Sequence, residues 1–417
     1  MISVLRSTWP LFLGILLLMV GNGMQGTLLG IRGGLEGIPT LQMSVVMSGY
    51  FAGFLLGSLT VPRLIKNVGH VRVFAALGSM ISSVLVLYAV EPNWIWWTVL
   101  RMIIGYCFCG VYITSESWLN AGSTNENRGR TLSAYMIVQL LGIVTAQAML
   151  NTSDPGGYLL FIIASVMVSL AFMPILLSRQ QAPPFQTIKR MSFARLYRAS
   201  PLGCVGIFLM GGVFAALSGM SSVWGAAVGL SVAQISAFVA ASYAGGLVLQ
   251  YPIGWISDRY DRRRLVLLLA AVGTATGVIV VAAQPGILGL VIAGALMGGI
   301  ANPIYALLLA YTNDYLDQAD MASASAGLLF IYGIGSMGGP LITGWLMEVL
   351  GPDGFWIHML ALLALLTVYA GWRTTRRRAL TPEEQGNYAV IAPSATTVAV
   401  EAALDERQTP PVDRPAA

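Results

Sequence analysis

The side chains best suited to do chemistry in this chain are polar groups set inside long apolar runs. Arg101, Phe108 and Tyr112 lie on one face of the run 94–119 because they recur at helical spacing. A charged side chain at the centre of a bilayer costs about 3 kcal/mol or more, so it normally faces a cavity or a partner. We predict that Arg101 orients an anionic or polar group. The alternative is that its side chain extends to the headgroups at the nearby end of the run.

Amide and aromatic side chains interrupt several other apolar runs in the same way. Asn22 and Gln25 share one helical face, and Asn302 and Tyr305 share another. Two interpretations stay open, namely hydrogen bonds between helices and a shared cavity for a small amphipathic solute. The residues predicted to line a substrate path are Asn22, Gln25, Arg101, Phe108, Tyr112, Gln139, Trp224, Asn302 and Tyr305.

The composition predicts that membrane-spanning helices position these side chains. Hydrophobic residues make up 56% of the 417 residues and charged residues only 10%. A soluble domain of this length needs more charge to cover its surface. The formal net charge of +5 therefore indicates contact with lipid headgroups rather than with nucleic acid. The three cysteines match no zinc or disulfide spacing.

Apolar runs long enough to cross a bilayer follow one another along most of the chain. A spanning helix needs about 20 apolar residues. Helices are the expected form because irregular backbone cannot face lipid. The twelve predicted spans are 8–30, 42–62, 73–90, 94–119, 131–150, 157–177, 201–227, 231–256, 265–283, 286–313, 321–348 and 354–372.

The basic residues fall on one side of this arrangement. Of the 23 Lys and Arg residues, all but Arg32 and Arg101 lie in the termini or in the even-numbered loops. Such a bias marks the cytoplasmic side of a helical membrane protein. We therefore predict that both termini face the cytoplasm.

Loops and ends divide the chain into four predicted parts. Six-helix bundles are expected at 1–178 and 201–375, joined by a cytoplasmic linker at 179–200 and followed by a disordered cytoplasmic tail at 376–417. The basic linker is compatible with a short amphipathic helix on the membrane surface and equally with a solvated loop.

The two bundles carry traces of a sequence repeat. An offset of 197 residues places Gly57 on Gly254, and the same offset places Glu116 on Asn313. Six spans repeated in parallel by another six is a recurring plan of transporters.

The strongest motif lies in the loop after the eighth span. It reads Gly254-Trp-Ile-Ser-Asp258-Arg259-Tyr-Asp-Arg262-Arg263-Arg264. It resembles the loop signature of the major facilitator superfamily, G-x-L-a-D-R-x-G-R-[KR], with Asp261 in place of the second glycine. We expect Gly254 to let two helices approach closely. The first-half copy departs further, because Val61 stands at the aspartate position.

Other stretches extend the resemblance over about residues 1–375. Arg101-Met-Ile-Ile-Gly105 is similar to the superfamily's R-x-x-q-G motif. Gly335-Ser-Met-Gly-Gly339-Pro340 resembles a G-x-x-x-G-P motif that drug exporters carry in the fifth span, although helix packing is the alternative role here. The stretches that resemble a bacterial branch called YcaD-like permeases are Gly21-Asn-Gly-Met-Gln-Gly-Thr-Leu-Leu, Glu116-Ser-Trp-Leu-Asn120 and Pro62-Arg63-Leu-Ile.

The resemblance implies an all-α membrane protein with the major facilitator fold, twelve transmembrane helices in two pseudo-symmetric six-helix bundles. It also implies a central cavity lined by spans 1, 4, 7 and 10. The fitting function is secondary transport by alternating access in the bacterial inner membrane.

Charged residues at the cytoplasmic ends of the spans are candidates for a gate. We predict that Glu116 pairs with a basic residue in the first half and that Asp314 pairs with the arginine-rich loop in the second half. Two such latches would close the cytoplasmic side in the outward-open state. The gate residues are Arg63, Arg72, Glu116, Arg128, Gly254, Asp258, Arg259, Arg262 and Asp314.

These patterns favour a secondary transporter of a small organic solute, with protons as the coupling ion. No G-x-x-x-x-G-K-[ST] or H-E-x-x-H motif occurs, so a nucleotide motor and an enzyme are not expected. No cofactor, metal or nucleic acid is expected, and the partners are the solute, H⁺ and the bilayer, with the chain as a monomer. The alternatives are a drug or metabolite efflux antiporter and a receptor or scaffold that does not transport.

Overall fold

The computed structural model describes residues 2–121, 123, 128–176 and 191–376, and near the C-terminus residues 388, 391, 395, 396 and 398–400. Helices make up nearly all of the described regular structure. They are α1 (Ile2–Leu35), α2 (Thr40–Val68), α3 (His70–Leu87), α4 (Trp94–Ala121), α5 (Arg128–Met149), α6 (Leu159–Leu176), α7 (Phe193–Ala199), α8 (Pro201–Ala215), α9 (Ser221–Ala227), α10 (Val232–Ser257), α11 (Arg262–Ala283), α12 (Ile287–Asn313), α13 (Gln318–Leu350) and α14 (Gly354–Thr374).

All twelve crossings predicted from hydropathy are present in the described part of the chain. Eleven helical stretches are long and apolar enough to span a membrane, and the shorter apolar helix α6 completes the set. α8 and α9 form one crossing, Pro201–Ala227, interrupted by a π-helical turn at Ala216–Met220. The predicted all-α fold of twelve spans is therefore confirmed, and the short helix α7 lies outside the spans.

The helices pack as two groups that repeat the same pairings. In the first group α2 packs on α4 and α1 packs on α5 and α6; in the second α10 packs on α12 and α8 packs on α13. Glycine makes the α2–α4 contact close, because a Cβ on Gly105 would collide with the carbonyl oxygen of Tyr50. Gly298 faces the backbone of Ser242 in the corresponding α10–α12 pair.

The glycines of α13 that resemble an exporter motif also serve packing. A Cβ on Gly335 would meet the backbone of Phe208, and one on Gly339 would lie 2.7 Å from the carbonyl oxygen of Gly212. Both contacts join α13 to α8. The packing interpretation of these glycines agrees with the structure.

The two bundles touch each other at the end of the molecule opposite the basic loops. The hydroxyl of Ser48 donates to the carbonyl of Met337 over 2.6 Å, and Gly344 lies against Ser44. We call the other end, which adjoins the loops with Arg63 and Arg262, the basic end.

The described part of the linker is helical. α7 buries Leu196 completely while Phe193 and Tyr197 remain exposed. Arg195 forms a 2.5 Å ion pair with Asp320. Of the two interpretations of the linker, the short amphipathic helix agrees with the structure at residues 193–199. Arg179, Lys189 and Arg190 of the linker lie outside the described residues.

A few residues of the tail, which is predicted to be disordered, belong to the described part of the chain. Ile391, Ala395, Thr396, Ala399 and Val400 are buried. The apolar members of this set cover apolar surface at the basic end, which explains why a segment of mixed composition is ordered there.

Candidate functional site

A central cavity of about 130 Å³ lies between the two bundles. Helices α1, α2, α4, α5, α8, α10 and α13 line it. It contains five residues of the predicted path, which are Asn22, Gln25, Arg101, Tyr112 and Gln139. Aromatic, methionine and amide side chains share its walls, so the cavity suits a small molecule with both apolar and polar parts.

Arg101 enters this cavity from α4 and is 4% exposed. Its guanidinium donates to the side-chain oxygen of Gln25, contacts the Met47 sulfur at 3.4 Å and lies 5.2 Å from the centre of the Tyr50 ring. Its Nε has no hydrogen-bond partner. Among the described residues no carboxylate pairs with it, so the guanidinium presents unneutralised charge to the cavity.

A chain of hydrogen bonds continues from Arg101 through the predicted residues. Gln25 donates to Asn22 over 3.1 Å, Asn22 donates to the Tyr112 hydroxyl over 3.1 Å, and Tyr112 donates to the Met19 sulfur at 3.3 Å. In each of these hydrogen bonds the donor is the residue nearer to Arg101 along the chain of bonds. The chain therefore fixes the orientation of the amides without supplying an acid.

Four predicted path residues are not brought to this cavity. Phe108 and Tyr305 are buried behind it, against Tyr112 at 6.1 Å and Tyr332 at 4.9 Å between ring centres. Trp224 stacks on Phe355 at 5.0 Å. Asn302 lines a second cavity of about 210 Å³ between α5 and α10. For these four, helical spacing identified a buried face but not the cavity wall.

Several cavity residues were missed by the sequence prediction. Tyr50, Tyr243, Tyr332 and Ser336 all line it, from α2, α10 and α13. Tyr50 carried a usable signal, because it adjoins the small-residue face of Gly49 and Gly53 that packs against α4. The expected lining by spans 1, 4, 7 and 10 thus describes only part of the cavity.

The second-half latch residues meet at the basic end as predicted. Arg262 forms two hydrogen bonds to Asp314, of 2.7 and 2.5 Å, and contacts Asp258 at 3.5 Å. Arg259 instead stacks over Trp255 at 4.0 Å. Asp261, which replaces the motif's glycine, caps α11 by accepting from the Arg263 amide over 3.0 Å.

The first-half latch differs from the prediction. Glu116 is 1% exposed and accepts hydrogen bonds from the Tyr135 hydroxyl and from Thr396 of the tail. Among the described residues no ion pair joins it to Arg63 or Arg72. The expected pairing with Arg63 was wrong, because a tail segment 280 positions away in sequence occupies the carboxylate; the side chains of the other two expected partners, Arg128 and Arg130, lie outside the described residues.

Gly254 also contacts the tail. A Cβ at this position would lie 2.6 Å from the ring of Tyr388. The predicted close approach of two helices at Gly254 is therefore replaced by the approach of an aromatic ring.

Comparisons with known proteins agree with this architecture. Residues 202–406 match the family model described as Major Facilitator Superfamily. An uncharacterized MFS-type transporter of Enterobacter sp. (strain 638) is 29% identical over 346 residues, which is 82% of this chain and 89% of that protein. The uncharacterized MFS-type transporter YcaD of Salmonella arizonae is 28% identical over 343 residues, 81% of this chain and 88% of that protein.

Solved structures share the same fold. The crystal structure of a mutant of the nucleoside transporter NupG superposes with a TM-score of 0.75 at 13% identity, covering 88% of this chain and 99% of that one. The fold of this chain is therefore the fold of that solved transporter. The second half of the chain therefore matches the Major Facilitator Superfamily model, and most of the chain is similar to MFS-type transporters of the YcaD branch.

Proposed function

We propose that the chain is a secondary active transporter of a small organic solute that carries an anionic or strongly polar group. It works by alternating access and is coupled to protons. In this proposal the chain lies as a monomer in the bacterial inner membrane, with both termini in the cytoplasm.

The guanidinium of Arg101 carries the proposal. It is buried in the central cavity, and its described neighbours, which include a neutral amide, a thioether and tyrosine side chains, contain no carboxylate paired with it. A buried charge without a counter-ion is costly, and an arriving anion removes that cost. The solute's anionic group is therefore expected at Arg101, with its apolar part against Tyr50, Phe51 and Phe54 of α2.

The contacts between the bundles support alternating access. They lie at the end opposite the basic loops, as in the Ser48–Met337 hydrogen bond. The cavity is thus closed at that end, and rocking of the bundles about it would exchange the open side. We take the basic end as cytoplasmic because basic loops face the cytoplasm.

Proton coupling is proposed because the sequence has no nucleotide-binding motif to supply energy. Glu116 is a buried acid of the first bundle, hydrogen-bonded to Tyr135 at 3.2 Å. We assign it to the gate rather than to proton transfer, because its carboxylate is engaged at the basic end of α4.

Reconstituted protein tests the proposal. A thermal-shift screen of organic acids and polar metabolites identifies a binder by its stabilisation of the folded state. Uptake of that compound into proteoliposomes is then measured with and without a pH gradient. We expect flux that a protonophore collapses.

Arg101→Ala supplies the decisive variant, with Arg198→Ala on exposed α7 as the matched control. The first should lower both binding and flux at least about tenfold, the loss of one charged hydrogen bond, while the second leaves them unchanged. Binding without flux would favour the receptor alternative. Equal flux in both variants would reject the role of Arg101.

A further inference from the structure

The residues of the tail that the structure describes are seated between the two bundles at the basic end. We call Tyr388, Ile391, Ala395, Thr396 and Val398–Val400 the tail segment. We propose that the tail segment is an intramolecular ligand of the cavity's mouth at the basic end, which blocks the path while it is seated and must leave before the gate at that end closes. The blocking role, but not the docking, rests on the transport function proposed above.

One contact joins the tail segment to the first bundle. Thr396 donates to the Glu116 carboxylate from its backbone amide, at 3.1 Å to Oε2, and also from its hydroxyl. Glu116 and Thr396 are 1% and 2% exposed. A buried carboxylate requires donors, and Thr396 alone supplies two.

A second contact joins the tail segment to the other bundle. The Tyr388 amide donates to Asp258 over 2.7 Å, and Gln250 donates to the Tyr388 hydroxyl over 3.2 Å. The Tyr388 ring lies on Gly254. Asp258 contacts Tyr388 and Arg262 at the same time, so competition falls on Glu116, whose carboxylate the tail occupies where the gate hypothesis needs a basic partner.

The position of Thr396 places it across the route to the central cavity. Thr396 lines a small space together with Phe54 and Ser58 of α2 and Leu329 of α13. The same three residues line the central cavity. A solute that passes between the cavity and the basic end along this route meets the tail.

Apolar burial adds to the polar contacts. Ile391, Ala395 and Ala399 lie with Leu132 and Tyr135 of the first bundle around one small space. Val400 is 2% exposed. Removing this apolar surface from water favours docking, while the hydrogen bonds fix where the segment sits.

Labelling of a cysteine on the route tests the docking without any substrate. Ser58→Cys is introduced into the full chain, and its reaction with a water-soluble maleimide is followed in purified protein. The native cysteines Cys107, Cys109 and Cys204 are buried, and the parent chain without Ser58→Cys measures their background. The seated tail should keep this reaction slow.

A graded series at Thr396 varies the donors. Thr396→Ser keeps both donors, Thr396→Val loses the hydroxyl, and Thr396→Pro loses both. We expect labelling at the parental rate in the serine variant, faster labelling in the valine variant, and a rate at least about tenfold higher in the proline variant.

Gly254→Ala provides a second release from the opposite bundle, because its Cβ would displace the Tyr388 ring. It should also speed the labelling of Ser58→Cys. Faster labelling in either variant supports the seated tail. Parental rates in both Thr396→Pro and Gly254→Ala would overturn the proposal, whether or not a transported solute has been found.

Discussion

Arg262 and Asp314 form an ion pair in which one guanidinium nitrogen, Nη1, donates to both carboxylate oxygens, and the side chains are 1% and 3% exposed. It ties the start of α11 to the end of α12. The other terminal nitrogen, Nη2, faces Asp258 at 3.5 Å, so the guanidinium bridges two carboxylates through charge-assisted contacts. The first bundle has no equivalent pair among its described residues, so the two halves of the repeat are held differently at their basic ends.

Removing one partner of this pair should destabilise the protein strongly. Asp314→Asn leaves the buried Arg262 charge with only the longer contact to Asp258 at 3.5 Å, at a cost of about 3 kcal/mol. Thermal unfolding of the purified protein in detergent measures the loss. Asp320→Asn is the matched control, because Asp320 pairs with the exposed Arg195 and should cost less than about 1 kcal/mol. Equal losses would contradict the buried-pair argument.

Cutting the hydrogen-bond chain should weaken solute binding without unfolding the protein. Tyr112→Phe removes the acceptor of Asn22, which frees the amides to turn away from Arg101. We expect binding of the solute found in the thermal-shift screen to weaken about fivefold to tenfold. Tyr158→Phe, on an exposed residue, should bind as the parent does. Titration calorimetry distinguishes the two, and identical affinities would count against the chain's role.

Gly105 of α4 should not tolerate a larger residue, because α4 packs closely on α2 at this position. Gly105→Ala drives a methyl group into the α2 backbone at Tyr50, so we expect a loss of about 2 kcal/mol or more. Gly338→Ala, also inside a spanning helix, meets nothing within 4 Å and should be neutral or slightly stabilising. Yield of monodisperse protein and its unfolding temperature report the difference, and a reversed order would refute the packing of α2 on α4.

Sidedness can be checked with single cysteines in intact cells. Ser192→Cys, in the described part of the linker, should react only with a permeant maleimide, since the linker is predicted to be cytoplasmic. Glu91→Cys, in the loop before α4, should react with an impermeant reagent. Both residues are exposed. Reaction of the linker cysteine from outside would invert the proposed orientation.

Span positions could be predicted closely from hydropathy, because each span must satisfy its own backbone within the bilayer. The predicted run 94–119 corresponds to Trp94–Ala121, and 286–313 to Ile287–Asn313. Helices extend further where a span continues into water, as in α2, which reaches Val68 beyond the predicted end at residue 62. Composition could not locate the π-helical turn at Ala216–Met220, which depends on packing.

Site residues could be predicted only where polarity and burial coincide. Arg101 and the Asn22–Gln25 pair stand out because hydrocarbon excludes unpaired polar groups. Tyr332 and Tyr243 line the cavity because α13 and α10 of the second bundle face the first bundle across it. No local sequence pattern predicts that arrangement. The Glu116–Thr396 contact joins positions 280 apart, and Thr396 belongs to a segment whose composition indicates disorder.

The π-helical turn at Ala216–Met220 divides one membrane crossing into two parts that pack against different bundles. α8, which precedes the turn, packs on α13 of its own bundle, while α9, which follows the turn, packs on α1 of the other bundle. A wide turn breaks the regular ladder of hydrogen bonds, so bending there is cheaper than in an unbroken helix. Ser218 and Gly219 of this turn also line the cavity. A solute that contacts Ser218 and Gly219 would act on the point where this crossing bends most easily. Because α8 and α9 on either side of the turn contact different bundles, its binding would affect both halves of the protein.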